Sequence, residues 1–225
     1  MTDFLITILD WSEVWALLIP LIVLLFHRRR PLYLKPVIIY LWLALGLNLV
    51  IDVIMSLNVY FRSFIESNNP YYNVHSVIRF VCFSFYFINL PQTYFIQLRK
   101  LLLWVFGGFL IINFLFFENF FNPEHLSGNL LTVESYLLLI YCVQYYLAEL
   151  KMDDNLFEGP HFWVVTGLAV YVVVNFFVFL FYVPLLDTNV DLAIDIWNVH
   201  NIAFIFFCAF VTKAFYVPAR NQYTI

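Results

Sequence analysis

Arg79, with His75 four residues before it, lies inside an apolar stretch, where a buried charge costs roughly 2.5–3.5 kcal/mol at mid-bilayer on insertion scales. Other apolar stretches add Asn48 and Asp52, Asn113, Glu134, Asn175, and the run Asp195, Asn198, His200, Asn201. A helix starting at Pro70 and rising about 1.5 Å per residue puts Arg79 some 13 Å deep, with His75 one turn above on the same face. Asp52, Glu134 and Asp195 are the carboxylates that could answer it. Two uses of such a set are open. One is an interhelical network of ion pairs and hydrogen bonds that only holds helices together. The other is a polar, outward-opening cavity for a small-molecule or lipid ligand, or an ion.

Three sharper chemistries fit poorly. A zinc hydrolase needs about three protein ligands and a water, but only His75 and His200 lie within apolar stretches and no HxxxH spacing follows in the last one. A bis-histidine haem would use the same two histidines at unequal depths, without CxxCH. A retinal Schiff base would need a deep lysine, whereas Lys213 lies near the far end of the last stretch and Arg79 stands where a counter-ion should be. No metal and no cofactor is expected. Cys82, Cys142 and Cys208 lack CxxC spacing and read as soft packing residues.

These groups must be positioned by membrane helices. The 225 residues are 64% hydrophobic and 12% charged, too little polar surface for a domain solvated by water. With about 20 apolar residues per crossing, the spans read as 5–26, 36–58, 70–90, 98–117, 129–150, 160–183 and 192–217. The expectation is one all-α domain over residues 1–225, a seven-transmembrane-helix bundle. Pro70 and Pro160 mark helix starts and Pro184 the end of the sixth span. Tryptophans and most aromatics read as interfacial belts or lipid-facing bulk.

Arg28, Arg29, Arg30, Lys35, Arg99, Lys100, Lys151, Lys213 and Arg220 fall in alternate loops and at the C-terminus, against Arg62 alone on the other side. The positive-inside rule then places the N-terminus outside and the C-terminus in the cytoplasm. Asp3, Asp10, Glu13, Glu66, Glu118, Glu124, Asp187 and Asp191 collect on the outer side, a bias that attracts cations. The first span, acidic at its start and without a small-x-small site, is not expected to be a cleaved signal peptide.

The stretches Phe162-Trp163-Val164-Val165-Thr166-Gly167-Leu168-Ala169-Val170-Tyr171 and Trp197-Asn198-Val199-His200-Asn201-Ile202 resemble the last two helices of the seven-helix membrane sensor regions of bacterial histidine kinases. That resemblance implies a bacterial inner membrane protein. Without a coiled coil or kinase domain after Lys213, output through a membrane protein partner is expected. The expected function is a non-enzymatic, receptor-like sensing module in the lipid bilayer, with no nucleic-acid partner. The alternatives are a structural or accessory subunit of a larger membrane complex and, after it, a membrane-embedded hydrolase.

Overall fold

The computed structural model describes residues 8–26, 31–61, 67–92, 94–123, 126–152 and 159–217, with the backbone alone at 54–61 and 152. The long helices are α1 (Ser12–Phe26), α2 (Lys35–Phe61), α3 (Asn69–Ile88), α4 (Ile96–Phe116), α5 (Gly128–Met152), α6 (Pro160–Thr188) and α7 (Val190–Tyr216). No strand occurs among the described residues. Pro70 and Pro160 stand in the first turns of α3 and α6, where a missing N–H costs nothing.

Five stretches are long and apolar enough to cross a bilayer: Leu32–Val53, Ile96–Phe116, Gly128–Lys151, Pro160–Thr188 and Val190–Tyr216. This is therefore an all-helical, multi-pass membrane protein. α1 is apolar but only 15 residues long. α3 is long enough, yet Asn69, Asn73, His75, Ser76, Arg79 and Ser84 make it too polar to stand among the five.

Neighbours in sequence are neighbours in space. Each helix packs on the next, α7 returns to α1, and the ring closes; α3 also reaches α5 directly, which leaves α4 on the outside. Trp104, Ile111, Leu115 and Phe116 on α4 are all more than 60% exposed. In lipid such a face needs no further cover. The polar side of α3 turns inward, with Asn73, Ser76, Arg79 and Ser84 buried beside Phe80, Phe83 and Phe87.

The break between the last two helices lies at Asn189, five residues beyond Pro184. α6 continues through Pro184, because one missing N–H is tolerated in a membrane helix that neighbours support. Asn189 then leaves the helical region (φ −155°, ψ 89°), and its side chain accepts from the Leu192 N–H at 3.2 Å, capping α7.

Aromatics divide between lipid and core. Phe116, Phe117, Phe121 and Phe177 face outward as the sequence suggests, but Tyr40, Phe80, Phe83, Tyr86, Phe87, Phe106, Tyr141, Tyr145 and Tyr171 are buried. Phe80 stacks on Phe106 with centroids 3.8 Å apart, and Phe87 on Tyr141 at 5.0 Å with planes within 7°. Flat rings fill space between helices whose backbones stand apart. Where backbones come closest, a glycine is required: a Cβ on Gly167 of α6 would lie 2.5 Å from the Phe210 Cβ of α7.

One end of the bundle, where α3, α5 and α7 begin, carries Asp10, Glu13, Glu118, Asp187, Asp191 and Asp195; among the described residues no Lys or Arg stands there. The other end carries Lys35, Arg99, Lys100, Lys151 and Lys213. They are called the acidic and basic ends below.

Candidate functional site: a buried ionic network beneath a vestibule

α3 presents Tyr72, Ser76, Arg79 and Phe83 in a stripe at spacings of four, three and four, the repeat that keeps one helical face against its neighbours. Arg79 meets Glu134 of α5. Its Nε donates to Oε1 at 2.5 Å and its Nη2 to Oε2 at 2.6 Å, a two-pronged pairing that fixes both planes. Nη1 donates to the Tyr171 hydroxyl of α6 at 2.6 Å, and Ser76 donates to Glu134 Oε2 at 2.5 Å. Arg79 is 5% and Glu134 0% exposed, so the pair interacts across a low-dielectric interior where breaking it leaves a bare charge.

A second group of contacts centres on Glu13 of α1. His200 of α7 places Nε2 3.2 Å from Glu13 Oε1 and Nδ1 2.8 Å from Asn175 Oδ1 on α6. The Tyr72 hydroxyl donates to Glu13 Oε2 at 3.3 Å, and Asn48 of α2 donates to the Glu13 carbonyl at 2.9 Å. Between the two groups lies a cavity of about 10 Å³, bounded by Glu13, Tyr72, His75, Ser76, Arg79 and His200 with apolar residues behind them. That is the volume one water needs. His75 stacks on Tyr40 with centroids 5.9 Å apart, and its buried Nε2 has no hydrogen-bond partner among the described residues.

Toward the acidic end a larger cavity of about 340 Å³ opens, walled by Tyr72, Tyr182, Trp197 and Asn198, with Asp10, Asn68 and Asn69 at its polar edge. Tyr72, Leu126 and Trp197 border both spaces. They form a thin aromatic and aliphatic partition between the vestibule and the network.

The structure thus joins Asn48, His75, Arg79, Glu134, Asn175 and His200 into one region, and Asn198 lines the space above it. Asn201 is buried beside His200 in sequence, with its Oδ1 unpartnered among the described residues. Three candidates fall elsewhere. Asp195 is exposed, in the second turn of α7 at the acidic end, one turn before the buried Asn198. Asp52 is partly exposed and makes no ion pair among the described residues, since Glu134 already fills both prongs of Arg79. Asn113 belongs to the α4–α5 corner: it donates to Glu118 Oε2 at 2.8 Å, while Glu118 Oε1 accepts the Asn129 N–H at 3.1 Å in the first turn of α5. A carboxylate at a helix N-terminus meets the positive end of the dipole.

Glu13, Tyr72, Ser76, Tyr171 and Trp197 are site residues that the sequence reading does not select. Glu13 had a signal, a carboxylate eight residues into the first span as drawn. Ser76 shares the Arg79 face and was visible by spacing. Tyr171 is one of 15 tyrosines, and nothing local marks it. Trp197, read as an interfacial tryptophan, lines a cavity wall.

Arg99 needs a correction of the same kind. Read as a loop cation, it is fully buried at the basic end, donating from Nη1 to the Phe87 carbonyl at 2.9 Å and from Nη2 to Gln92 Oε1. Gln92 in turn donates to Glu149, and Tyr141 donates to the Arg99 carbonyl at 2.6 Å. A cation one turn into α4 swings inward when carbonyls and a carboxylate-bound amide wait there.

Among the described residues no group of three or more His, Cys, Asp or Glu is placed to hold a metal ion. What the arrangement can do is bind, shift charge along Tyr72, Glu13 and His200, and hold helices together. No protein-family model, curated protein or solved structure matches the chain.

Proposed function

We propose that this chain crosses a bacterial inner membrane seven times, N-terminus outside and C-terminus in the cytoplasm, as a receptor-like sensing module working through a membrane protein partner. The observation that carries the reading is the 340 Å³ vestibule, within the range of small-molecule sites, separated from a buried ionic network only by Tyr72, Leu126 and Trp197. A solute pressing on Tyr72 or Trp197 acts on Glu13 and His200, since the Trp197 and His200 rings are 5.1 Å apart. α7 then runs unbroken from that contact to Lys213 at the basic end.

Two features support seven crossings. α3 can cross although polar because its neighbours shield it, and the ring closes only with α1 and α3 in place. Lys35, Arg99, Lys100, Lys151 and Lys213 at one end, together with the sequence run Arg28-Arg29-Arg30 between the first two spans, support the orientation. The resemblance of the last two helices to histidine-kinase sensor regions agrees with a signalling role.

The test is a thermal-shift screen of the purified full chain in a nonionic detergent against amines, small acids, quinones and lipids. A ligand of the folded state raises Tm with concentration. A hit retained by wild type and lost in Trp197→Leu supports sensing. A screen in which no class moves Tm leaves the second reading, a structural or accessory subunit, which is favoured by the saturation of Arg79 by protein groups.

A further inference from the structure

Resting on that reading of the vestibule as a ligand site, we infer that its ligand is a small organic cation, an alkylammonium group held against the rings of Trp197, Tyr182 and Tyr72 and facing Asp10. Arg79 and His200 would suggest an anion if they faced the vestibule, but Arg79 spends Nε, Nη1 and Nη2 on Glu134 and Tyr171 behind the partition. Among the described residues no lysine or arginine lines the vestibule, so a carboxylate or phosphate entering it would meet no compensating charge from them.

The walls suit the opposite sign. The Trp197 ring stands 5.0 Å from Tyr182, tilted by 44°, and 5.7 Å from Tyr72, edge to face. Rings at such angles make an open corner of π faces, and a cation held over tryptophan and tyrosine gains about 0.5–2 kcal/mol depending on desolvation. Asn198 is more than nine-tenths buried and lines the cavity. Its side-chain carbonyl is an acceptor of the kind that suits an ammonium N–H or the face of a methylammonium.

Charge balance points the same way. Arg79 and Glu134 pair with each other, so Glu13 beneath Tyr72 faces the imidazole of His200, with that of His75 close enough to act on it, and no Lys or Arg pairs with it among the described residues. Asp52 lies near enough to Glu13 and Tyr72 to act on both electrostatically. With Asp10 at the mouth and no described Lys or Arg at this end, the field focuses cations into the cavity.

The experiment uses the full chain in a nonionic polyoxyethylene detergent, with tetramethylammonium and choline as probes. The neutral isostere 3,3-dimethyl-1-butanol, succinate and glucose are the contrasts, and each is run on wild type, Asp10→Asn, Trp197→Phe and Trp197→Leu. Expected is a concentration-dependent rise in Tm with the two cations only. Apparent affinity should fall roughly tenfold or more in Trp197→Leu and be largely kept in Trp197→Phe. Asp10→Asn, at an exposed position with no fold to lose, should also weaken binding. An equal response to the isostere, succinate or glucose overturns the cation assignment and leaves the sensing cavity standing. A cation response unchanged in both Asp10→Asn and Trp197→Leu places binding elsewhere and overturns it too. No response to any probe, together with an empty wider screen, removes the cavity reading itself.

Discussion

Arg79 and Glu134 pair because each would otherwise be an uncompensated charge far from water, and Tyr171 and Ser76 take up the remaining geometry. Truncating one partner of such a pair typically costs about 3–5 kcal/mol, more than the pair is worth over two well-packed apolar residues. Arg79→Ala and Glu134→Ala should each lower Tm in detergent sharply, while Lys100→Ala, at an exposed position, should leave it within error. The double variant Arg79→Leu/Glu134→Leu should be more stable than either single alanine variant. A double variant worse than both would mean that hydrogen bonds to Tyr171 and Ser76, not charge balance, dominate. Arg99 obeys the same rule at the basic end, and Arg99→Ala should resemble Arg79→Ala more than Lys100→Ala.

At the scale of elements, helix contacts are set by small residues and caps. Gly167 admits the Phe210 side chain against the α6 backbone, and an added methyl would sit 2.5 Å from Phe210 Cβ, which cannot rotate away. Gly167→Ala should therefore push α6 and α7 apart and lower Tm. Gly46→Ala, with nothing within 4 Å of the new methyl, should be neutral or mildly stabilising, since alanine is the better helix former. Asn189 is the whole connection between α6 and α7. Asn189→Ala should cost about 0.5–2 kcal/mol by removing the cap, and Asn189→Asp should keep it; equal losses in both would assign the effect to backbone conformation.

The whole molecule is a closed ring of helices, with the outermost one, α4, also the least buried of the five candidate spans. Membrane orientation is a property at this scale. A reporter fused after Arg220 should behave as cytoplasmic and one inserted after Glu118 as external. Finding both on the same side of the membrane would remove the seven-span topology and, with it, a vestibule that faces outward. Closure of the ring through α1 and α7 also carries Glu13 to His200 across 187 positions of sequence. Loss of α1 should accordingly disturb the site as well as the fold, read as loss of the vestibule-dependent thermal shift.

Much was legible without coordinates. Apolar runs mark helices because hydrocarbon leaves unpaired backbone groups unsatisfied. Pro70 and Pro160 mark helix starts because a first-turn N–H has no partner to lose. The depth of Arg79 demands a counter-ion because a lone buried charge is too costly. Which carboxylate answers was decided by packing alone: α3 reaches α5 directly, so Glu134 meets Arg79, while Asp195 is exposed on α7 and Asp52 is partly exposed on α2. Apart from α3, the helices carry apolar residues nearly all round, so periodicity does not say which side faces protein. Only their mutual rotation brings Glu13, Tyr171 and Trp197 into the site and draws Arg99 out of its loop.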